Sequence, residues 1–420
     1  MKYDLLITGG NIYRGGGIIR RGLDIGIKDG YITEVGPGLD PLQALHRLEA
    51  KDRLVTPSFS DTHMHIDEAF TACDDDTTTL QAARDRSAQV MQERCDKMSE
   101  EELYQDIMER SAKVLDMCIK NGTTCIKTNV KFGGPIGTIA LEAMMALKEN
   151  YRGRLDLLTV VPCFPGAEED WRKFAERGAI DFVGGYPNCG YDPKTGAAVD
   201  DPTGFRPAVD KAFELALAYD LPIDLHCNES DNTNMDCFRY IIDKTLADKL
   251  QRKVSCGHVT ALDAIGQDQN AVWAIAAYAA KACVNVETLT SCNMYLMDWR
   301  RRGPTAVEML LDNGVNVAVA SDNIRDCFRP FGDADLIREA QLTAQVHKFV
   351  TRADMGRVLE MITYNAAENA MRTDYGTVPG CRADLVVLDA PDIVQTLLNQ
   401  PQKLFVVKDG VTVAAGGQLV

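Results

Sequence analysis

Two imidazoles, His63 and His65, stand two residues apart at the end of an apolar run that begins at Leu54. Side chains alternate faces along a β-strand, so residues i and i+2 point the same way. Two histidines on one face at a strand end can grip one divalent cation from one side. Imidazole suits zinc, iron, copper and nickel alike, so the spacing does not name the metal. A lone His-x-His pair is weak, because many are surface accidents. Here Asp61 precedes the pair, Asp67 follows it, and three more candidates lie at the ends of later β-like runs.

His226 ends Leu221-Pro222-Ile223-Asp224-Leu225, with Glu229 three residues on. His258 ends Val254-Ser255-Cys256-Gly257, and Asp322 follows Asn316-Val317-Ala318-Val319-Ala320-Ser321. The chain has six histidines, and four of them close such a run, where chance would scatter them over helices and loops. Each alone reads as an ordinary core or surface histidine. Together with Asp322 they read as a metal site. His46 and His347 lie outside strand ends and read as ordinary.

These residues need a scaffold, and the chain is long enough to supply one. With 420 residues, 45% of them hydrophobic, it can bury a large core, and length alone suggests two or three domains. No stretch reaches the roughly eighteen apolar residues of a membrane span. The N-terminus lacks a basic region followed by an apolar segment and a cleavage site, so a cytoplasmic protein is expected. Thirteen cysteines without a Cys-x-x-Cys pair argue against a zinc ribbon or a redox motif. The net charge of −16 disfavours nucleic acid and anionic membranes as partners.

Both ends of the chain are β-rich. Alternating apolar residues flank Asp29-Gly30 near the N-terminus and Asp409-Gly410 near the C-terminus, and each reads as a hairpin. Neither end is long enough for a core of its own. The economical solution is one small β-sandwich built from 1–54 and 372–420. Between them, β-like runs at 54–62, 123–130, 155–163, 179–187, 221–228, 254–261, 282–290 and 316–323 alternate with helical patterns such as 99–120, 138–149 and 207–219. Eight strands with intervening helices predict a (β/α)₈ TIM barrel over 55–371, an α/β fold whose catalytic residues gather at the C-terminal strand ends. His65, His226, His258 and Asp322 occupy such ends on strands one, five, six and eight.

At these residues the chain resembles the amidohydrolase superfamily, and within it the cytosine deaminase-like branch, including the aminotriazine hydrolase acting on N-isopropylammelide. The resemblance is carried by His63-Met64-His65, His226-Cys227-Asn228-Glu229, Gly257-His258-Val259-Thr260-Ala261, Ser321-Asp322-Asn323-Ile324-Arg325-Asp326 and Phe328-Arg329-Pro330-Phe331-Gly332. It implies that His63, His65, His226 and Asp322 hold one divalent ion, zinc or iron, that activates water at neutral pH. Attack falls on a ring carbon bearing an exocyclic amino group, and ammonia or a small amine leaves. Asp322 takes up a proton from the water. Glu229 shuttles a proton to the adjacent ring nitrogen and the leaving amine, and His258 orients the attacking water. A small heterocyclic substrate and a homo-oligomeric assembly are expected.

Departures from the cytosine deaminase pattern bear on the substrate. Where that branch places a recognition glutamine at the end of strand three, this chain has Phe164, and where it places a second aspartate after the metal ligand, this chain has Asn323. Phe328 stands where an aromatic lines the pocket, and Asn129, at the end of strand two, joins Phe164, Asn323 and Phe328 as a substrate-binding candidate. A substrate other than cytosine is expected. Lys127 invites comparison with the carboxylated lysine of two-metal relatives, but it lies on strand two rather than four, so a structural role or a place at the pocket edge is expected and a single metal follows. Cys227 alternates away from His226 and should pack outward. The Asp74-Asp75-Asp76 run reads as a solvated loop. Two rival functions stay open: a cyclic-amide hydrolase of the hydantoinase or dihydroorotase kind, and a non-catalytic barrel scaffold.

Overall fold

The computed structural model describes residues 1–72, 79–191, 198–201, 203–230, 232–266, 268–296 and 304–420. The acidic run at 74–76 lies outside the described residues. The centre of the molecule is an eight-stranded parallel sheet whose strands follow chain order. They are Phe59–Met64, Thr123–Asn129, Asp156–Pro162, Phe182–Gly185, Ile223–Cys227, Val254–His258, Asn285–Thr288 and Val317–Val319. The sheet curls until strands eight and one meet at a parallel bridge between Met64 and Asp322. There Asp322 N donates to His63 O at 2.8 Å and His65 N donates to Asp322 O at 3.3 Å. The barrel therefore closes through the backbone of three of the candidate metal ligands.

Helices cover the outside. The helix Glu100–Lys120 shows how they are specified: Ser99 and Glu102 form a reciprocal capping box, and Leu103, Ile107, Val114, Leu115, Cys118 and Ile119 form its buried stripe at helical spacing. The expected helices at 138–149 and 207–219 are Ile139–Asn150 and Arg206–Tyr219.

Both termini join one nine-stranded sheet. The expected single run 54–62 is two strands: Leu54–Pro57 pairs antiparallel with Leu385–Leu388 in this terminal sheet, and Phe59–Met64 starts the barrel. The terminal sheet thus reaches Pro57, three residues beyond the expected boundary at 54, because Leu54–Pro57 finds its partner strand in the C-terminal segment. Alternation along Leu385–Leu388 sorts the two faces. Leu385 and Val387 join a core within the terminal sheet with Ile7, Ile25 and Val55, whereas Val386 and Leu388 join the main core against the barrel. Both hairpin turns have positive φ at their Asp-Gly residues, as a type I′ turn requires. The two tips touch, since a Cβ on Gly30 would lie 3.2 Å from Asp409 O. No helix among the described residues is long and apolar enough to cross a membrane.

Candidate active site

The candidate ligands converge at the C-terminal mouth of the barrel. His63 Nε2 lies 3.1 Å from His226 Nε2, and His65 Nε2 lies 3.2 Å from the same atom. Asp322 Oδ1 is 3.5 Å from His65 Nε2 and 4.0 Å from His63 Nε2. Donor atoms of His63, His65 and His226 all fall within 4.8 Å of one another, as do those of His63, His258 and Asp322. Burial holds His63 and His65 down to about 3 and His226 well below its ordinary value, so all three imidazoles are neutral at pH 7. Neutral imidazoles and a carboxylate sharing one small space form a donor set that fits a divalent cation.

The backbone is bent to make this possible. His258 and Asp322 have φ of 69° and 61°, and Val259, although β-branched, has 49°. Left-handed conformations at such residues cost on the order of 1–3 kcal/mol each and persist where the surroundings impose them. Gly257 is small for a different reason: a Cβ there would sit 2.8 Å from His63 Cε1. Beneath the site, the buried Asp61 accepts from Ser321 N at 3.1 Å and ties strand one to strand eight.

A second buried layer supports the first. His63 Nδ1 lies 2.8 Å from Glu287 Oε2 on strand seven, which places the ring proton on Nδ1 and frees the Nε2 lone pair for the site. Lys127 Nζ lies 2.8 Å from Glu287 Oε1 and 2.5 Å from Asp224 Oδ2, and donates to Asn369 Oδ1 at 2.6 Å. Burial opposes the lysine charge, but the two carboxylates outweigh it and hold the ammonium above its ordinary value. His63, Asp224 and Glu287 also have metal-like spacing. The Lys127 ammonium already bridges those two carboxylates.

The proton-handling candidates sit to one side. Glu229 Oε1 is 3.5 Å from His258 Nδ1, and that nitrogen is 3.0 Å from Asn293 Oδ1. Asp322 is pushed well above the usual carboxylate range, first by burial and then by the charge of Glu229.

The four substrate-binding candidates fare differently. Asn129 is buried, and its Nδ2 makes no hydrogen bond among the described residues. Phe164 is half-buried and stacks on Tyr186 with ring centroids 6.1 Å apart; Tyr186 in turn lies 4.3 Å from the His226 ring. Phe328 packs beside Leu80, Ala83, Cys292 and Leu296. Asn323 reaches the site, but its amide donates to Asp326 Oδ2 at 2.7 Å and accepts from Cys292 Sγ at 3.4 Å, so it braces the strand-eight loop. Cys227 points outward, buried beside Cys237 and Cys256.

Glu287, Asp224, Tyr186 and Arg84 were not singled out from the sequence. Glu287 did leave a signal, a carboxylate within the apolar run Val284-Asn285-Val286-Glu287-Thr288. Arg84 belongs to the helix Leu80–Lys97, hereafter α1, which follows strand one and brings Arg84 Nη2 to 3.6 Å from Glu229 Oε2.

Residues 186–414 match the model of the amidohydrolase family, and the chain belongs to that family. It is a hydrolase acting on carbon–nitrogen bonds other than peptide bonds, which removes the scaffold alternative. It is similar to N-isopropylammelide isopropyl amidohydrolase of Pseudomonas sp. (strain ADP), with 27% identity over 92% of each chain. It is also similar to the pterin deaminase of Rhizobium rhizogenes, with 29% identity over 87% of this chain and 82% of the relative. Among solved structures, 5-methylcytosine deaminase from Klebsiella pneumoniae, liganded with 5-fluorocytosine, superimposes with a TM-score of 0.84 at 22% identity, covering 98% of this chain and 97% of the other.

Proposed function

We propose that this protein is a hydrolytic deaminase or aminohydrolase that releases ammonia, or a small amine, from a flat nitrogen heterocycle other than cytosine. The observation that carries the reading is the convergence of three neutral imidazoles and Asp322 beside Glu229 and His258. The pterin deaminase and N-isopropylammelide relatives support the substrate class, since both names denote flat aminated heterocycles.

In this reading His63, His65, His226 and Asp322 would hold one divalent ion, zinc or iron. When bound, such an ion lowers the pKa of a coordinated water to about 7. Asp322 would accept one proton from the attacking water and return it to Glu229 for the next turnover. The Asn293 contact fixes the His258 ring, leaving Nε2 to accept a hydrogen bond from the attacking water. Glu229 would deliver a proton to the ring nitrogen beside the scissile carbon, be recharged by the remaining proton of the attacking water, and give that proton to the departing nitrogen. Without it the leaving group would be an amide anion, which is a very poor one. Tyr186, Phe164 and Phe328 supply apolar faces for a flat ring, and Asn129 offers it an amide donor. Asn323 acts through the loop it braces.

Lys127 favours this reading over ring opening by a two-metal site. A lysine carboxylated to bridge two ions would have to give up its contacts with Asp224 and Glu287 and would place a third negative group among them. The experiment is an ammonia-release screen over cytosine, isocytosine, aminotriazines, aminopurines and pterins, with products identified by mass. Release of ammonia or amine with an intact ring supports the proposal, and a ring-opened product overturns it.

A further inference from the structure

α1 carries three buried residues on one face, Ala83, Arg84 and Ser87. Ala83 packs with Cys292 and Leu296, and Ser87 Oγ donates to Glu68 Oε1 at 2.8 Å, so the helix is fastened on both sides of Arg84. Arg84 is turned into the site. Its Nη2 lies 3.6 Å from Glu229 Oε2, and its charge is among the influences that keep His226 unprotonated.

Other buried cations around the barrel mouth are well supplied with partners. Lys127 has two carboxylates and an amide oxygen. Arg329 pairs with Glu339 at 2.7 Å and donates to Ser321 O at 2.9 Å. Arg110 donates to Asp106 and to the carbonyls of Asp67 and Ala69. Arg84 is different. Among the described residues its one ion pair is the 3.6 Å approach to Glu229, longer than a hydrogen bond. A guanidinium carries five N–H donors in a planar fork that matches a carboxylate and stays charged at any physiological pH. A guanidinium whose donors the described residues leave largely unused can bind an anionic group that enters the mouth. The aromatic walls can read the face of a ring but not a charge on its edge.

We propose that Arg84 is a specificity-determining residue that selects heterocycles bearing a carboxylate on the edge facing α1. This rests on the deaminase reading above and names the class of substrate it would take. The carboxylate would accept two N–H bonds from the fork, an arrangement that is both stronger and more directional than a neutral contact.

The test uses metal-loaded, full-length wild type, Arg84→Lys and Arg84→Met. The probes are two matched pairs, pterin-6-carboxylic acid with its carboxamide and cytosine-5-carboxylic acid with its carboxamide. Calorimetry gives Kd and an ammonia assay gives turnover. Wild type is expected to bind the acid of at least one pair about tenfold or more tighter than the amide. In Arg84→Met that ratio should fall to near one, and Arg84→Lys should retain part of it at unchanged metal content. No acid preference in wild type, no measurable binding of either acid, or a preference that survives in Arg84→Met overturns the proposal. If Arg84→Met does not fold, the wild-type ratio and the Lys variant decide. Absence of ammonia from every probe counts against the deaminase reading, while the binding ratio still judges Arg84.

Discussion

Glu287 on strand seven holds His63 on strand one through a 2.8 Å contact between Oε2 and Nδ1, although 224 residues separate them. Carboxylates behind a ligating imidazole fix its tautomer and raise its basicity. Replacing Glu287 by Gln keeps the shape and removes the charge. Metal affinity, measured by competition with a chelator, should fall about 10- to 100-fold. Unchanged affinity would show that the His63 ring is set by packing alone.

Lys127 is the counterpart of that arrangement. Lys127→Met leaves Asp224 and Glu287 buried and facing each other without the cation between them. Breaking a buried pair from one side costs about 3–5 kcal/mol, and denaturant unfolding should show a loss of that order. A variant as stable as wild type would mean that one of the two carboxylates is protonated in the native protein.

Distant from the site, burial lowers His347 from 6.5 to about 4. The folded state resists its protonation, so the unfolded chain binds more protons between those two values. His347 therefore adds stability that is fully present above pH 6.5 and is lost as pH falls toward 4, up to about 3 kcal/mol. Unfolding free energies of wild type and His347→Gln across that interval should converge at the acid end. Parallel curves would show that His347 does not contribute to the pH dependence of stability.

The terminal sheet makes a claim about folding. Leu385–Leu388 sits between Leu54–Pro57 and Lys403–Lys408, and Asp384 pairs with both Arg372 and Lys408. Deleting 373–420 strips those partners, exposes an apolar strand edge and should produce aggregation. A soluble, active truncation would show that the barrel folds without the tail.

Much of the site was legible because it obeys local rules. Strand ends follow from apolar runs, and His63, His65, His226, His258 and Asp322 stand at those ends. Glu287, Asp224 and Arg84 were harder to see because their meaning lies in partners far away in sequence. Glu287 needs His63 and Lys127 to be read as a support, and Arg84 needs α1 in its folded position to meet Glu229. The split of the run 54–62 was hidden for a related reason: Leu54–Pro57 changes sheet because its neighbour is a strand more than 300 residues later. Asn323, a substrate-binding candidate from its position after Asp322, shows a contact that the sequence did not reveal, its amide donating to Asp326.

The proposed reaction is hydrolytic release of a nitrogen leaving group at a single metal with Glu229 carrying the proton. It is tested most directly by measuring ammonia release and bound metal together in wild type and Glu229→Gln, on the best substrate from the screen. About one divalent ion per chain is expected in both proteins, with turnover at least about a hundredfold lower in the variant. Near-normal turnover in Glu229→Gln, or two tightly bound ions per chain with Lys127 carboxylated, would contradict it.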